Sequence, residues 1–413
     1  MRSFSITSSC GFVEARPLAI LLALVTLILF VGGAYSLYLG NQIRYPDEHE
    51  YLSMAVNLAE HGVFSLDGEH PTAWRPPGYP AILAALTSVG LGVFSMRMLN
   101  FTALAVSALL LYRLMKPLSV VAALVGAALA VAYPVFVYTA GTLYPQTVAS
   151  TLFLAAVYLF FGRDPPSQGE AGLAGLVMGV LILTVPSFAF ALLFLAAWLL
   201  ARSRRFVNHA ILLIFGCSLV LAPWLVRNYI RFGSFVFVSS NSGRNLLLGN
   251  SEDARPNSGT NVDITRYVAA AAGLGEIERD RFYRDRAVEF MRKNPGRTAQ
   301  LYLLKFLNYF NYRNELFVKT ETSPLRDAIA LLSFGPLLAM ALLRVILARR
   351  WPLSRLEHFA LVLYVLNGAY AAVFFTRLRF RVPFDYLLLI LVAMTVARLG
   401  SRGISAKPEP GLP

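Results

Sequence analysis

An all-α polytopic membrane protein is the fold class this sequence predicts, and three observations lead there. Of its 413 residues, 57% are hydrophobic and only 15% charged, against roughly 45–50% and about 25% in an average soluble domain. The mean hydropathy is +0.58, and the apolar residues fall in runs long enough to cross a bilayer core of about 30 Å. Arginines gather in alternate polar breaks, as expected when cytoplasmic loops carry the basic residues. Together these exclude an ordinary soluble enzyme. Of the 37 basic residues behind the formal net charge of +14, 15 fall inside on the topology below and are explained by orientation, while 22 fall outside, clustered around Arg227, Gly275–Lys293 and Arg377–Arg381; no nucleic-acid partner is implied.

The first run, Pro17 to about Leu39, is too long for a signal-peptide core and reads as an uncleaved span with the N-terminus inside. Cys10 and Cys217 are too differently placed to form a disulfide or a thiol metal site. The polar stretch Asn41 to Pro77 must lie outside the hydrocarbon, on the external face. Tyr79 to Phe94 is apolar but short, and reads as re-entrant or interfacial. With Met98–Met115 running inward, Arg113, Lys116, Arg163, Arg202, Arg204, Arg205, Arg344, Arg349, Arg350, Arg355, Arg398 and Arg402 all become cytoplasmic.

The later spans are Ser119–Tyr138, Pro145–Gly162, Ala171–Val185, Ser187–Ala201, Phe206–Trp224, Pro324–Ile346, Glu357–Thr376 and Val382–Ala397, which makes about ten crossings. Residues 1–398 therefore form one transmembrane domain with external loops 41–77 and 227–323, and 399–413 form a cytoplasmic tail expected to be disordered. The larger loop opens with loop or short strand over Phe235–Asp263. A charged helix over Gly275–Lys293 and a surface helix over Thr298–Asn311 follow.

The densest chemistry is Tyr45-Pro46-Asp47-Glu48-His49-Glu50-Tyr51, where Asp47, Glu50 and Tyr51 share one helical face. A carboxylate just outside the bilayer can take a proton from an acceptor hydroxyl; the plainer reading is that Asp47 and Glu48 cap the helix and favour its dipole. A metal held by Asp47, Glu48, His49, His61 or His70 is a further alternative, although no HExxH-like pair is present. Trp74-Arg75-Pro76-Pro77-Gly78-Tyr79-Pro80 follows, in which Arg75 can meet a phosphate or snorkel to the interface.

These two motifs resemble the first external loop of GT-C glycosyltransferases, in particular the bacterial branch related to protein O-mannosyltransferases and aminoarabinose transferases. Three further segments are similar in spacing: Ala222-Pro223-Trp224 through Phe232-Gly233, Gly243-Arg244-Asn245 to Gly249-Asn250, and Arg377-Leu378-Arg379-Phe380-Arg381-Val382-Pro383. The chain departs from the family at Thr142-Leu143-Tyr144-Pro145-Gln146, where many relatives carry an acidic residue, and at Thr184-Val185-Pro186, which lacks an arginine.

The resemblance implies a GT-C fold and inverting transfer of a sugar from a polyprenyl-phosphate donor to a hydroxyl of a glycan, lipid or protein. The reaction would run at the external face of a bacterial inner membrane, among membrane lipids. Asp47 is then the general base, with Glu48 orienting the acceptor or raising the Asp47 pKa. Arg377, Arg379, Arg381 and Arg75 meet the donor phosphate, and Tyr51, Tyr79, Arg227, Asn228, Arg244, Asn245 and Asn250 line the substrate. No cofactor is required on this reading, and a divalent metal stays open. The alternative is a transporter or flippase for a lipid-linked or anionic substrate, which would place ionisable residues on broken helices at mid-membrane. The middles of these spans carry almost none. A non-catalytic lipid-binding assembly protein is a third reading, which the acidic first loop fits worst.

Overall fold

A computed structural model describes residues 17–257, 259, 261–313 and 323–405, with side chains as far as 400. Of the tail expected over 399–413, residues 399–405 continue the last helix and 406–413 lie outside the described residues. The helices are α1 Pro17–Leu39, α2 Pro46–His61, α3 Gly78–Ser88, α4 Val93–Met115, α5 Val120–Ala132, α6 Pro134–Ala140, α7 Gln146–Phe161, α8 Gln168–Thr184, α9 Ala189–Arg202, α10 Val207–Phe232, α11 Ser242–Gly249, α12 Thr265–Ala270, α13 Glu276–Lys293, α14 Pro295–Tyr309, α15 Pro324–Ile346, α16 Arg355–Val373 and α17 Leu378–Ser405.

Six of the described helices are long and apolar enough to cross a bilayer, or seven if α5 and α6, bent by 55° at Pro134, form one span. The shorter apolar segments, α7, α8 and the turn-plus-helix Pro186–Arg202, complete the set read from the sequence, and the chain is an all-α integral membrane protein.

Local sequence explains the helix ends. Ser119, Ser167, Ser323 and Ser354 accept hydrogen bonds from the first turns of α5, α8, α15 and α16, and Glu170 and Glu357 complete capping boxes. Pro46, Pro134, Pro295 and Pro324 occupy first turns, where the missing N–H costs nothing. Helices α8 and α10 touch backbone to backbone. A Cβ on Gly175 would lie 2.2 Å from the Leu213 carbonyl oxygen, and one on Gly216 would lie 2.5 Å from that of Gly172. The last helix, α17, is the most enclosed, with Val382 and Phe384 to Met394 all buried. By contrast α1 leaves Leu22, Phe30 and Leu37 exposed for lipid.

Several boundaries differ from the sequence expectation. The short apolar stretch becomes α3, only 11 residues, about half the reach needed to cross at 1.5 Å per residue. The next span starts at Val93 rather than Met98. Helix α10 runs unbroken through Pro223 to Phe232, so Arg227 and Asn228 sit on a helical extension and not in a loop. Where loop or short strand was expected, the chain forms α11. Among the described residues the sole β pairing is an isolated bridge between Ser65 and Pro71.

Candidate functional site

Two motifs far apart in sequence meet at one carboxylate. Asp47, in the first turn of α2, receives a hydrogen bond from Arg75 Nη2 to Oδ1 at 2.6 Å and another from Arg379 Nη1 to Oδ2. Arg75 also donates through Nε to Glu50 at 2.5 Å, and Trp74 Nε1 donates to the same Glu50 oxygen at 2.9 Å. Arg75 lies over the Tyr51 ring at 5.5 Å, and Arg379 over Tyr144 at 5.7 Å. Asp47, Glu50 and Tyr51 thus do share a face, and Arg75 bridges them. Burial raises the Asp47 pKa, but the charges of Arg379 and Arg75 and their hydrogen bonds outweigh it and hold the carboxyl at about 2.

Three hollows converge there, and Tyr144 and Arg379 line all of them. The first, about 360 Å³, reaches from Asp47, Tyr51 and Arg75 past Gln146, Thr184 and Asn245 to Tyr370, Phe374 and Phe375. The second, about 1010 Å³, is lined by seven arginines, Arg44, Arg75, Arg244, Arg279, Arg326, Arg377 and Arg379, against three carboxylates, Asp47, Glu50 and Glu276. Such an excess concentrates anions. The third is a groove of about 430 Å³ lined by Pro134, Val135, Ile329, Ala330, Leu378 and Val382, with Arg313, Arg326, Arg377 and Arg379 along it.

The frame around this junction is built from buried charge. Arg97, fully buried on α4, donates to the carbonyls of Gly40, Gln42 and Gly141 (the last at 3.1 Å), tying the start of the first loop to the turn before α7. On α13, Glu276 accepts from Thr72 Oγ1 at 2.6 Å, from the Ala73 amide at 2.9 Å and from Ser240. One turn on, Asp280 accepts from the Gly243 amide at 2.7 Å and the Arg244 amide at 3.2 Å. The charged helix therefore fixes both the loop bearing Arg75 and the helix bearing Arg244 and Asn245. Lys305 on α14 is fully buried and donates to the carbonyls of Gly249 at 3.0 Å and Phe374 at 2.8 Å and to Asn250 Oδ1 at 3.3 Å. It pins the segment leading into Arg377.

Other expected site residues lie elsewhere. Glu48 does not face the junction. Fully buried, it accepts from the Arg44 and Tyr45 amides at 3.0 Å and from Leu143 N at 2.7 Å. It, not Asp47, caps α2, and Asp47 is held down by its arginines rather than raised by Glu48. Arg381 points into the bundle, 3.0 Å from Asp385, and donates to Asn311 O at 2.7 Å. Tyr79 is fully buried and pairs with Asn100. Arg227 donates to Thr72 O and Asn228 Oδ1, both at 2.9 Å. Asn228 donates to Val236 O, and Asn250 to Leu246 O and Val373 O. None of these six lines the three hollows, whereas Arg244 lines the second and Asn245 the first.

Among the described residues no three His, Cys, Asp or Glu side chains gather, because the Glu48 oxygens are taken by amides and His70 pairs with Asp67 at 2.8 Å. Tyr144, Arg44, Arg326 and Gln146 were not singled out as site residues from the sequence. Their only signals were the proximity of Arg44 to the Asp47 motif and the tyrosine-proline break before α7.

A bundle of apolar helices with an aspartate clamped by two arginines where three hollows meet defines a polytopic membrane protein with a charged site at its helix ends. Two crystal structures are similar to it, both of ArnT from Cupriavidus metallidurans. The one bound to undecaprenyl phosphate aligns with a TM-score of 0.45 at 15% identity, over 96% of this chain and 81% of that one. The apo form aligns with a TM-score of 0.41 at 15% identity, over 95% and 77%. No protein-family profile and no curated protein matches the chain.

Proposed function

We propose that the chain is a GT-C-type membrane glycosyltransferase that moves a sugar from a polyprenyl-phosphate donor to an acceptor hydroxyl at the external face, with inversion. The observation that carries this is Arg379, which lines both an arginine-rich hollow and an apolar groove and, with Arg75, clamps Asp47 in the wall of that hollow. A ligand that is half lipid and half phosphate matches that junction. The prenyl chain takes the groove, and Arg377 and Arg379 take the phosphate.

In the reaction the acceptor oxygen attacks C1 of the sugar and its proton passes to an Asp47 carboxylate oxygen. The C1–O bond to phosphate breaks, and the electron pair leaves with the phosphate, where the arginines stabilise its charge. A carboxyl held at about 2 is a weak base. An incoming phosphate competes for Arg379, which frees Oδ2 and moves Asp47 back toward the carboxylate range. Donor binding thus prepares the base, and the reaction is ordered with donor first.

Replacing Asp47 by Asn should lower transfer by ~10²–10⁴-fold, the usual contribution of a positioned base, while polyprenyl phosphate still binds and the protein still unfolds cooperatively. Surface glycans compared by mass spectrometry between a deletion strain and strains carrying either version supply the readout. A fully active Asp47→Asn protein removes the base assignment.

A further inference from the structure

The first hollow differs from the other two in its chemistry. Its only charged lining groups are Asp47, Arg75 and Arg379, which already pair with one another; its remaining polar groups are uncharged, among them Gln146, Thr184, Asn241, Asn245 and Asn367. Gln146, the first residue of α7, is only 8% exposed, and its Oε1 has no hydrogen-bond partner. A buried carboxamide oxygen left unsatisfied is costly. A carboxamide can both accept from and donate to a hydroxyl. Aromatic rings of Tyr51, Tyr144 and Tyr370 stand in the same wall.

We infer that this hollow is the sugar subsite, that the sugar it takes is uncharged and hydroxylated, and that Gln146 reads one of its hydroxyls. The inference rests on the glycosyltransferase reading above. An amino sugar would bring an ammonium beside Arg75 and Arg379 with only Asp47, already shared, to meet it. A uronic acid would bring a carboxylate to a wall whose two arginines, Arg75 and Arg379, are already paired with Asp47 and Glu50 and whose remaining polar groups are neutral. A neutral sugar satisfies Gln146 and leaves the ion pairs to the phosphate.

The test uses the full-length protein in detergent and measures displacement of labelled polyprenyl phosphate. The probes are polyprenyl phosphate itself and the same lipid carrying glucose, 2-amino-2-deoxyglucose or glucuronic acid. The glucose-bearing lipid should bind at least ~10-fold tighter than either charged analogue. Gln146→Leu should weaken binding of the glucose-bearing lipid by about 5–20-fold, the effect of one hydrogen bond to a buried group, while binding of bare polyprenyl phosphate stays unchanged and so reports an intact fold. Gln146→Glu should shift the preference toward the amino sugar. If bare polyprenyl phosphate does not bind the wild type, the lipid-phosphate reading itself fails. If it binds but a charged sugar is preferred, or Gln146→Leu leaves binding of the glucose-bearing lipid intact, the sugar-subsite inference is overturned and the glycosyltransferase reading survives.

Discussion

Arg379 and Arg381 stand two residues apart in one basic motif, and each pairs with a carboxylate. Yet the two pairs are opposites. Arg379 reaches Asp47 at the junction of three hollows, with 24% and 20% of the two side chains exposed. Arg381 reaches Asp385 on its own helix with 2% and 1% exposed, inside a shell of Tyr133, Tyr364 and Phe334. The difference is one of helical phase. Helix α17 begins at Leu378, and two residues advance a helix by roughly 200°, so the two side chains leave on opposite faces. An ion pair at a hollow can be exchanged for a ligand, whereas an enclosed pair with all its partners in place holds the bundle together.

The sharpest way to break this comparison is to remove each arginine in turn. Arg381→Met should destabilise the protein by about 3–5 kcal/mol, because Asp385 is left charged and buried. The double variant Arg381→Met with Asp385→Leu should recover much of that loss in thermal unfolding. If the single variant melts like wild type, the enclosed pair is not structural.

Arg379→Gln should lower thermal stability by less than Arg381→Met does and weaken polyprenyl-phosphate binding by about 10–100-fold, as expected for a lost charge-assisted contact. Equal binding by the two proteins would place the phosphate elsewhere.

The smallest effect concerns acid. Asp47 is held at about 2 in the fold, below its unfolded value of about 3.9. The stabilisation this gives is present above the unfolded pKa and is lost as pH falls through the folded one, between about pH 4 and 2. It amounts to about 2–3 kcal/mol and should shrink in Arg379→Gln when unfolding is followed across that range. An identical acid profile in the variant would show that Arg379 does not hold the carboxyl down.

Much of the junction was legible from residue type and helical spacing. The shared face of Asp47, Glu50 and Tyr51 follows from their i, i+3 and i+4 positions, and Arg75 was marked by the prolines that fix its loop. What spacing could not separate was Glu48 from Asp47: adjacent carboxylates at a helix start are alike in sequence, and only the amides of Arg44, Tyr45 and Leu143 decide which one is the cap. Arg227, Asn228 and Asn250 lie outside the three hollows for a related reason. Each sits where backbone carbonyls need a donor, and a structural donor is indistinguishable from a binding one until the fold supplies its partner.

By itself the sequence determined the class, the apolar spanning helices and the list of ionisable residues outside the spans. Those depend on local terms: hydrophobic length, capping side chains and prolines at first turns. Tertiary structure alone decided which charges meet. The contact between Asp47 and Arg379 joins residues at opposite ends of the chain, and the enclosure of Gln146 depends on helices and loops from several parts of it. Such encounters are set by how whole helices pack, a property of the assembled bundle and not of any one segment.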